Sequence, residues 1–203
     1  MSLRHSYTLF APIYDVLVAP FTRAARRQSL RALHDELPAE VLLVGIGSGL
    51  DLPQLPRGPR YTGLDLTPAM LTRAQRQAAV LGLDLRLDTG DARQLPYADA
   101  CFDVVVLHLI LAVTAHPQQV LAEAARVLRP GGRVLILDKF LRPGQKAPLR
   151  RLLSPLLARL ATRTDVEFEP LLAAQTALTL LSDRPALAGG WFRCIVLRKV
   201  GGP

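Results

Sequence analysis

The chain has 203 residues, half of them hydrophobic and 21% charged, and carries a formal net charge of +8. That length suits one domain with a substantial core, and the hydrophobic fraction excludes a disordered chain. No apolar run approaches the roughly 20 residues that span a bilayer, and the first residues lack the apolar core and cleavage site of a secretory leader, so the sequence predicts a cytoplasmic protein.

In chain order, residues 1–35 come first. They contain YTLFAPIYDVLVAPFTRAARRQSLRAL, in which Leu9, Phe10, Ile13, Val16, Leu17 and Phe21 recur at helical spacing and Arg23, Arg26, Arg27 and Arg31 follow. This predicts an amphipathic helical segment with a basic side. Apolar β-type runs then alternate with helical stretches, the pattern of βαβ units on a mainly parallel sheet. Strands are expected at Val41–Val44, Tyr61–Asp65, Leu85–Thr89, Phe102–Leu107 and Arg133–Asp138, with helices at Pro68–Leu81 and Pro117–Leu128. Arg129-Pro130-Gly131-Gly132 reads as a helix stop followed by a turn.

Residues 139–165 form a basic insertion. Lys139 to Thr164 holds seven Lys or Arg and no carboxylate, and Leu149, Leu152, Leu153, Leu156, Leu157 and Leu160 make an i, i+3, i+4, i+7 stripe. Ser154 and Pro155 predict a kink into a second short helix. Runs at Leu178–Leu181 and Trp191–Val200 flank SDRPALAGG, read as an antiparallel hairpin closing the sheet edge. The expectation is one domain, 1–203, folded as a three-layer α/β sandwich. Cys101 and Cys194 have no CxxC spacing or His cluster, so they are expected to be buried core thiols, with no metal site.

The stretch VLLVGIGSGLD, Val41 to Asp51, carries the chemistry: a buried strand running into Gly45, Gly47 and Gly49. Such a turn lets backbone N–H groups approach a ligand without an intervening Cβ. The dinucleotide fingerprint G-x-G-x-x-G wants a last glycine at position 50, where Leu50 stands. GxGxG suits a nucleoside with a carboxylate and no pyrophosphate. Asp65 ends the next strand, where a carboxylate can accept from both ribose hydroxyls; it can equally serve the helix start, a task Thr67 also suits. Asp91 and Ala92 in TGDARQLP stand one loop further on, where a carboxylate and a backbone N–H can read adenine.

These elements, with LRPGGRVLILD before the fifth strand, resemble the class I S-adenosylmethionine-dependent methyltransferases over about Val41 to Asp138. The resemblance implies a Rossmann-like sheet of seven strands, mostly parallel with an antiparallel C-terminal hairpin, and S-adenosylmethionine as cofactor, with S-adenosylhomocysteine as product. It places the cofactor on Gly45, Gly47, Ser48, Gly49, Asp65, Leu66, Asp91, Ala92 and His108. Tyr7-x3-Ala11-x2-Tyr14-Asp15 is similar to the F-x3-A-x2-Y-D signature of quinone and phospholipid methyltransferases, which brings Tyr14 to the cofactor's methionine end. One departure is Leu43, where the family usually carries an acid; the loop's own N–H groups and Asp51 are left to hold the methionine portion.

The charge calls for a polyanionic partner. Few aromatics for base stacking, and basic stretches interleaved with leucines, favour an anionic lipid surface over nucleic acid. The chain most resembles bacterial phospholipid N-methyltransferases, which implies stepwise methylation of phosphatidylethanolamine toward phosphatidylcholine at the inner face of the membrane. A quinone C-methyltransferase, a soluble small-molecule methyltransferase and a non-catalytic membrane-binding module stay open. An ethanolamine ammonium must lose a proton before its nitrogen attacks. By analogy with phosphoethanolamine methyltransferases, Tyr14 or Tyr7 paired with His108 is the expected acceptor. Lys139, Arg142 and Lys146 are the expected cations for the lipid phosphate, and His116 is expected to cap a helix.

Overall fold

The computed structural model describes residues 20–141 and 166–201. Helix α1 covers residues 20–30 of these and α2 is Ala32–Asp35. The rest run β1 (Glu40–Val44), β2 (Arg60–Asp65), α3 (Pro68–Leu81), β3 (Leu85–Thr89), β4 (Phe102–His108), α4 (Pro117–Val127), β5 (Leu128–Lys139), α5 (Phe168–Ala173), β6 (Leu178–Leu187) and β7 (Phe192–Lys199). The strands form one seven-stranded sheet in the order β3-β2-β1-β4-β5-β7-β6, parallel except for β7. This is the expected mostly parallel sheet with an antiparallel C-terminal edge.

The central strands are apolar along their whole length because both faces are covered. Alternation sorts them. Leu42, Val44, Val105, Leu107, Val134 and Ile136 pack with α4 and α5, whereas Val41, Leu43, Val104, Val106 and Leu135 pack with Leu30, Leu33 and the inner face of α3. Pro68 and Pro117 sit in the first turns of α3 and α4, where a missing N–H costs nothing.

Three expectations need correction. Arg129–Gly132 is not a separate turn: Leu128 already pairs with Phe102 and pairing resumes at Val104↔Arg133, so these residues bulge within β5. The edge strand β6 extends through Pro185 to Leu187, which an edge tolerates because one side needs no ladder N–H; only Ala188–Gly190 turns the hairpin. Cys194 is buried as expected, but Cys101 is only half-buried, its thiol donating to Ala98 O at 3.0 Å. Among the described residues no helix is long and apolar enough to cross a membrane.

Candidate active site

The strand order reverses between β1 and β4, so the carboxyl ends of these two strands flank the crevice in which open α/β sheets hold ligands. The glycine turn leaves β1 there. Gly45 and Ile46 N–H both donate to Leu64 O of β2, at 2.7 and 3.1 Å. A Cβ on Gly45 would lie 2.7 Å from Ile110 Cδ1, and one on Gly49 would lie 2.7 Å from Leu52 Cδ1, so both positions are closed by the protein's own packing. Gly47 differs. Its φ is +57°, a region that side chains avoid, yet among the described residues a Cβ there would meet nothing nearer than Gly45 O at 4.0 Å. Among the described residues, the middle glycine therefore opens onto free space.

Asp65 sits across that space at the end of β2. Its Oδ2 accepts Gly47 N–H and its Oδ1 accepts Thr67 N–H, each at 2.9 Å. The Thr67 hydroxyl and the Leu66 N–H also bond to this carboxylate. Burial pushes the Asp65 carboxyl up, against the N–H donors of Thr67 and Gly47 that favour its charge. Thr67 holds the N-cap position of α3 without a side-chain bond to it. Leu66 is 45% exposed beside Asp65, and the Ser48 hydroxyl is buried with no partner among the described residues. Oriented with its nitrogen inward, the Gln77 amide donates to Ser48 and Gly49 carbonyls at 3.1 Å and supports the turn from α3.

The β3–β4 loop is braced by Arg126, which donates to Leu95 O, Tyr97 O, Glu123 and Asp99, while Glu123 accepts Leu95 N–H at 2.7 Å. Ala92 packs on the core at the start of this loop. The Asp91 carboxylate faces its own loop, accepting Arg93 N–H at 2.9 Å and the Arg93 guanidinium at 2.6 Å.

His108 ends β4, at the crevice as expected, but its ring is buried. Nδ1 lies 2.8 Å from Asp51 Oδ1, and Nε2 lies 2.9 Å from Ser29 Oγ on α1. Arg26, expected on the exposed basic side of its helix, turns inward instead and donates to the same Asp51 oxygen at 2.8 Å. Burial works to raise the Asp51 carboxyl, but Arg26 and then His108 outweigh it and hold it well below the usual carboxylate range. Immediately after His108, Leu109 adopts φ +59°, a strained value for leucine, and Ile110 follows to touch Gly45. Sequence reasoning missed Arg26 and Ser29 as site neighbours. Their partners lie 25 and 79 positions away, so no local pattern marks them.

At the end of β5, Asp138 is fully buried, accepting Ala112 N–H at 3.0 Å and Lys139 N–H at 2.8 Å; burial pushes its carboxyl up to about 6. Lys139 is half-buried opposite Phe192, and burial lowers its ammonium, with Asp138 working against the shift. Arg193 of β7 is buried between Glu169 at 2.8 Å and Asp183 at 2.5 Å, stacked near Phe168 and Phe140. His116 takes the N-cap position of α4 but makes no side-chain cap bond; its N–H donates to Thr114 Oγ1 at 3.3 Å instead. Tyr7, Tyr14, Arg142 and Lys146 lie outside the described residues.

The donor set fits a nucleoside carrying an amino-acid tail. The orphan Ser48 hydroxyl and the open side of Gly47 suit the polar tail, Asp65 the sugar, and exposed Leu66 the base.

Comparison with known proteins agrees. Residues 42–136 match a family model described as a methyltransferase domain. A phosphatidylethanolamine N-methyltransferase from Cereibacter sphaeroides is 32% identical over 194 residues, 94% of each chain. A demethylmenaquinone methyltransferase from Thermus thermophilus is 32% identical over 139 residues, 65% of this chain and 63% of that one. Among solved structures, a chain from a complex between the Haloferax volcanii Trm112 methyltransferase activator and a methyltransferase superposes with a TM-score of 0.80 over 100% of this chain and 99% of its own, at 19% identity. The last likeness speaks for the fold alone.

Proposed function

Because the chain belongs to the S-adenosylmethionine-dependent methyltransferases, we propose that its substrate is the amine of phosphatidylethanolamine, methylated stepwise toward phosphatidylcholine at an anionic membrane surface. The observation that carries this reading is the likeness to the Cereibacter enzyme, which runs through 94% of both chains, whereas the Thermus quinone enzyme matches 65% of this one. The exposed positions of α1 support it: Phe21 is 70% exposed, and Arg23 and Arg27 are exposed on the same helix. An exposed aromatic side chain with exposed arginines on the same helix suits a bilayer whose headgroups are phosphates.

When bound, S-adenosylmethionine would supply a sulfonium methyl carbon open to in-line attack by a neutral amine lone pair, with the neutral thioether as leaving group. What remains for the chain is alignment, exclusion of water and removal of a proton from the ammonium. Asp65 and the Gly45–Gly49 turn hold the sugar and the amino-acid tail of the cofactor. Both His108 nitrogens are committed, to Asp51 and Ser29, so in this proposal His108 acts through that network and proton removal falls to Tyr7 or Tyr14. Lys139, Arg142 and Lys146 offer cations to the lipid phosphate.

Incubating the protein with methyl-labelled cofactor and vesicles of mixed phosphatidylethanolamine, anionic lipid and demethylated quinone tests the proposal. Label in the ethanolamine headgroup is expected. Label in the quinone alone assigns the alternative, and no label with intact S-adenosylhomocysteine binding removes both substrates.

A further inference from the structure

Four buried side chains from three separated elements meet behind the glycine turn. Arg26 on α1 donates to Asp51, Asp51 faces His108 Nδ1, and His108 Nε2 returns to Ser29 on α1. Thr22 steadies the guanidinium from one turn earlier, accepting Arg26 Nε at 3.2 Å. The path closes a ring that runs from α1 to the turn, from the turn to β4, and back. The order Ser29–His108–Asp51 has the connectivity of a nucleophilic triad. Ser29, however, is 6% exposed in the body of a helix, and the carboxylate beyond His108 is shared with a guanidinium, so no acyl substrate reaches it.

The ring's effect is positional. Apolar packing alone seats a helix with some freedom to slide, whereas charged hydrogen bonds fix one register. Asp51 is also part of the turn's backbone: Leu52 N–H reaches back to Gly49 O at 2.9 Å, and Gln54 N–H to Asp51 O at 2.9 Å. A tilt of α1 therefore pulls on Asp51 and, through it, on residues 45–49. Leu43, where an acid is expected, is instead 1% exposed and packs in the same cluster as Leu30 of α1. The carboxylate beside the turn is the one tied to the helix.

We propose that Arg26, Asp51 and His108 are positioning residues that key α1 to the cofactor turn, so that seating of α1 and occupation of the turn by S-adenosylmethionine strengthen each other. Coupling between two binding events is reciprocal, and values of 5- to 150-fold are about the usual span. The inference rests on the cofactor assignment and is independent of the lipid.

The test removes both charges together, Arg26→Met with Asp51→Leu, which leaves neither ion uncompensated, and thermal unfolding establishes that the variant folds. Calorimetry with S-adenosylhomocysteine is expected to show affinity weakened about tenfold or more. In cofactor-free protein, trypsin cleavage after the exposed Arg23 and Arg27, read by fragment mass, is expected to accelerate in the variant. In the wild type, S-adenosylhomocysteine is expected to slow that cleavage. Ser29→Ala, which drops a single bond of the ring, is expected to shift both readouts in the same direction and less. A folded double variant with wild-type affinity overturns the proposal, as does wild-type protein that binds S-adenosylhomocysteine with no change in cleavage. Neither readout contains lipid, so failure of the phospholipid reading leaves this result standing.

Discussion

The carboxyl edge of β1 and β4 and the carboxyl edge of β5 and β7 each bury a carboxylate, and the two carboxylates answer burial in opposite directions. Asp51 has a guanidinium and an imidazole within 2.8 Å, and these overcome desolvation to keep it ionised. Asp138 is held mainly by peptide N–H groups, which do not overcome desolvation, and its carboxyl rises to about 6. A full counter-charge in contact outranks burial; a few backbone dipoles do not.

The sharpest way to break that contrast is to strip Asp51 of its role alone. Asp51→Leu leaves Arg26 buried without its counter-charge and is expected to cost about 3–5 kcal/mol in denaturant unfolding, while adding Arg26→Met recovers most of the loss. Equal losses in the single and double variants would mean that the pair matters for shape and not for charge.

The next effect is a pH dependence. Asp138 has a folded value above its unfolded 3.8, so its protonated form favours the fold. Its contribution is fully present below about pH 4 and is lost as pH rises to about 6, a decline of about 3 kcal/mol. Asp51, with a depressed folded value, contributes stability present above about pH 4 and lost as pH falls further. Unfolding free energies of wild type and Asp138→Asn, subtracted from each other between pH 4 and 7, are expected to slope only in the Asp138 window.

Asp65 is the intermediate case, raised by burial yet accepting the N–H groups of Gly47 and Thr67. Asp65→Asn is expected to weaken S-adenosylhomocysteine about tenfold or more by calorimetry, the magnitude of a charge-assisted hydrogen bond. The smallest effect on folding is expected at Phe21. Phe21→Ser should leave unfolding free energy within about 0.5 kcal/mol, while partition onto anionic vesicles falls about tenfold, the worth of one buried aromatic ring.

The same contrast governs what could be read from the chain. Strands β1 to β4 and helices α3 and α4 were legible because apolar runs, a proline at each helix start and three glycines are local signals. The place of Asp65 at the end of β2 was legible because only a short connection with one 3-10 turn at Leu52–Gln54 and one strand separate it from the glycines. The inward turn of Arg26 was not, since an arginine among arginines on an amphipathic helix looks solvated until the fold brings Asp51 and His108 beneath it. The Arg129–Gly132 segment reads as a turn from composition, yet its neighbour Phe102 pairs before it and Val104 after it, so the sheet absorbs it. Pro185 likewise argues against a strand unless one knows that β6 is an edge.

Leu141 N–H donates to Val166 O at 2.8 Å, Leu141 bridges Glu167, and Phe140 and Phe168 stack with centroids 5.3 Å apart. The end of β5 and the start of α5 are thus clasped directly to each other. A clasp made by residues 140–141 and 166–168 themselves frees the register of β5 from the length of chain that joins them.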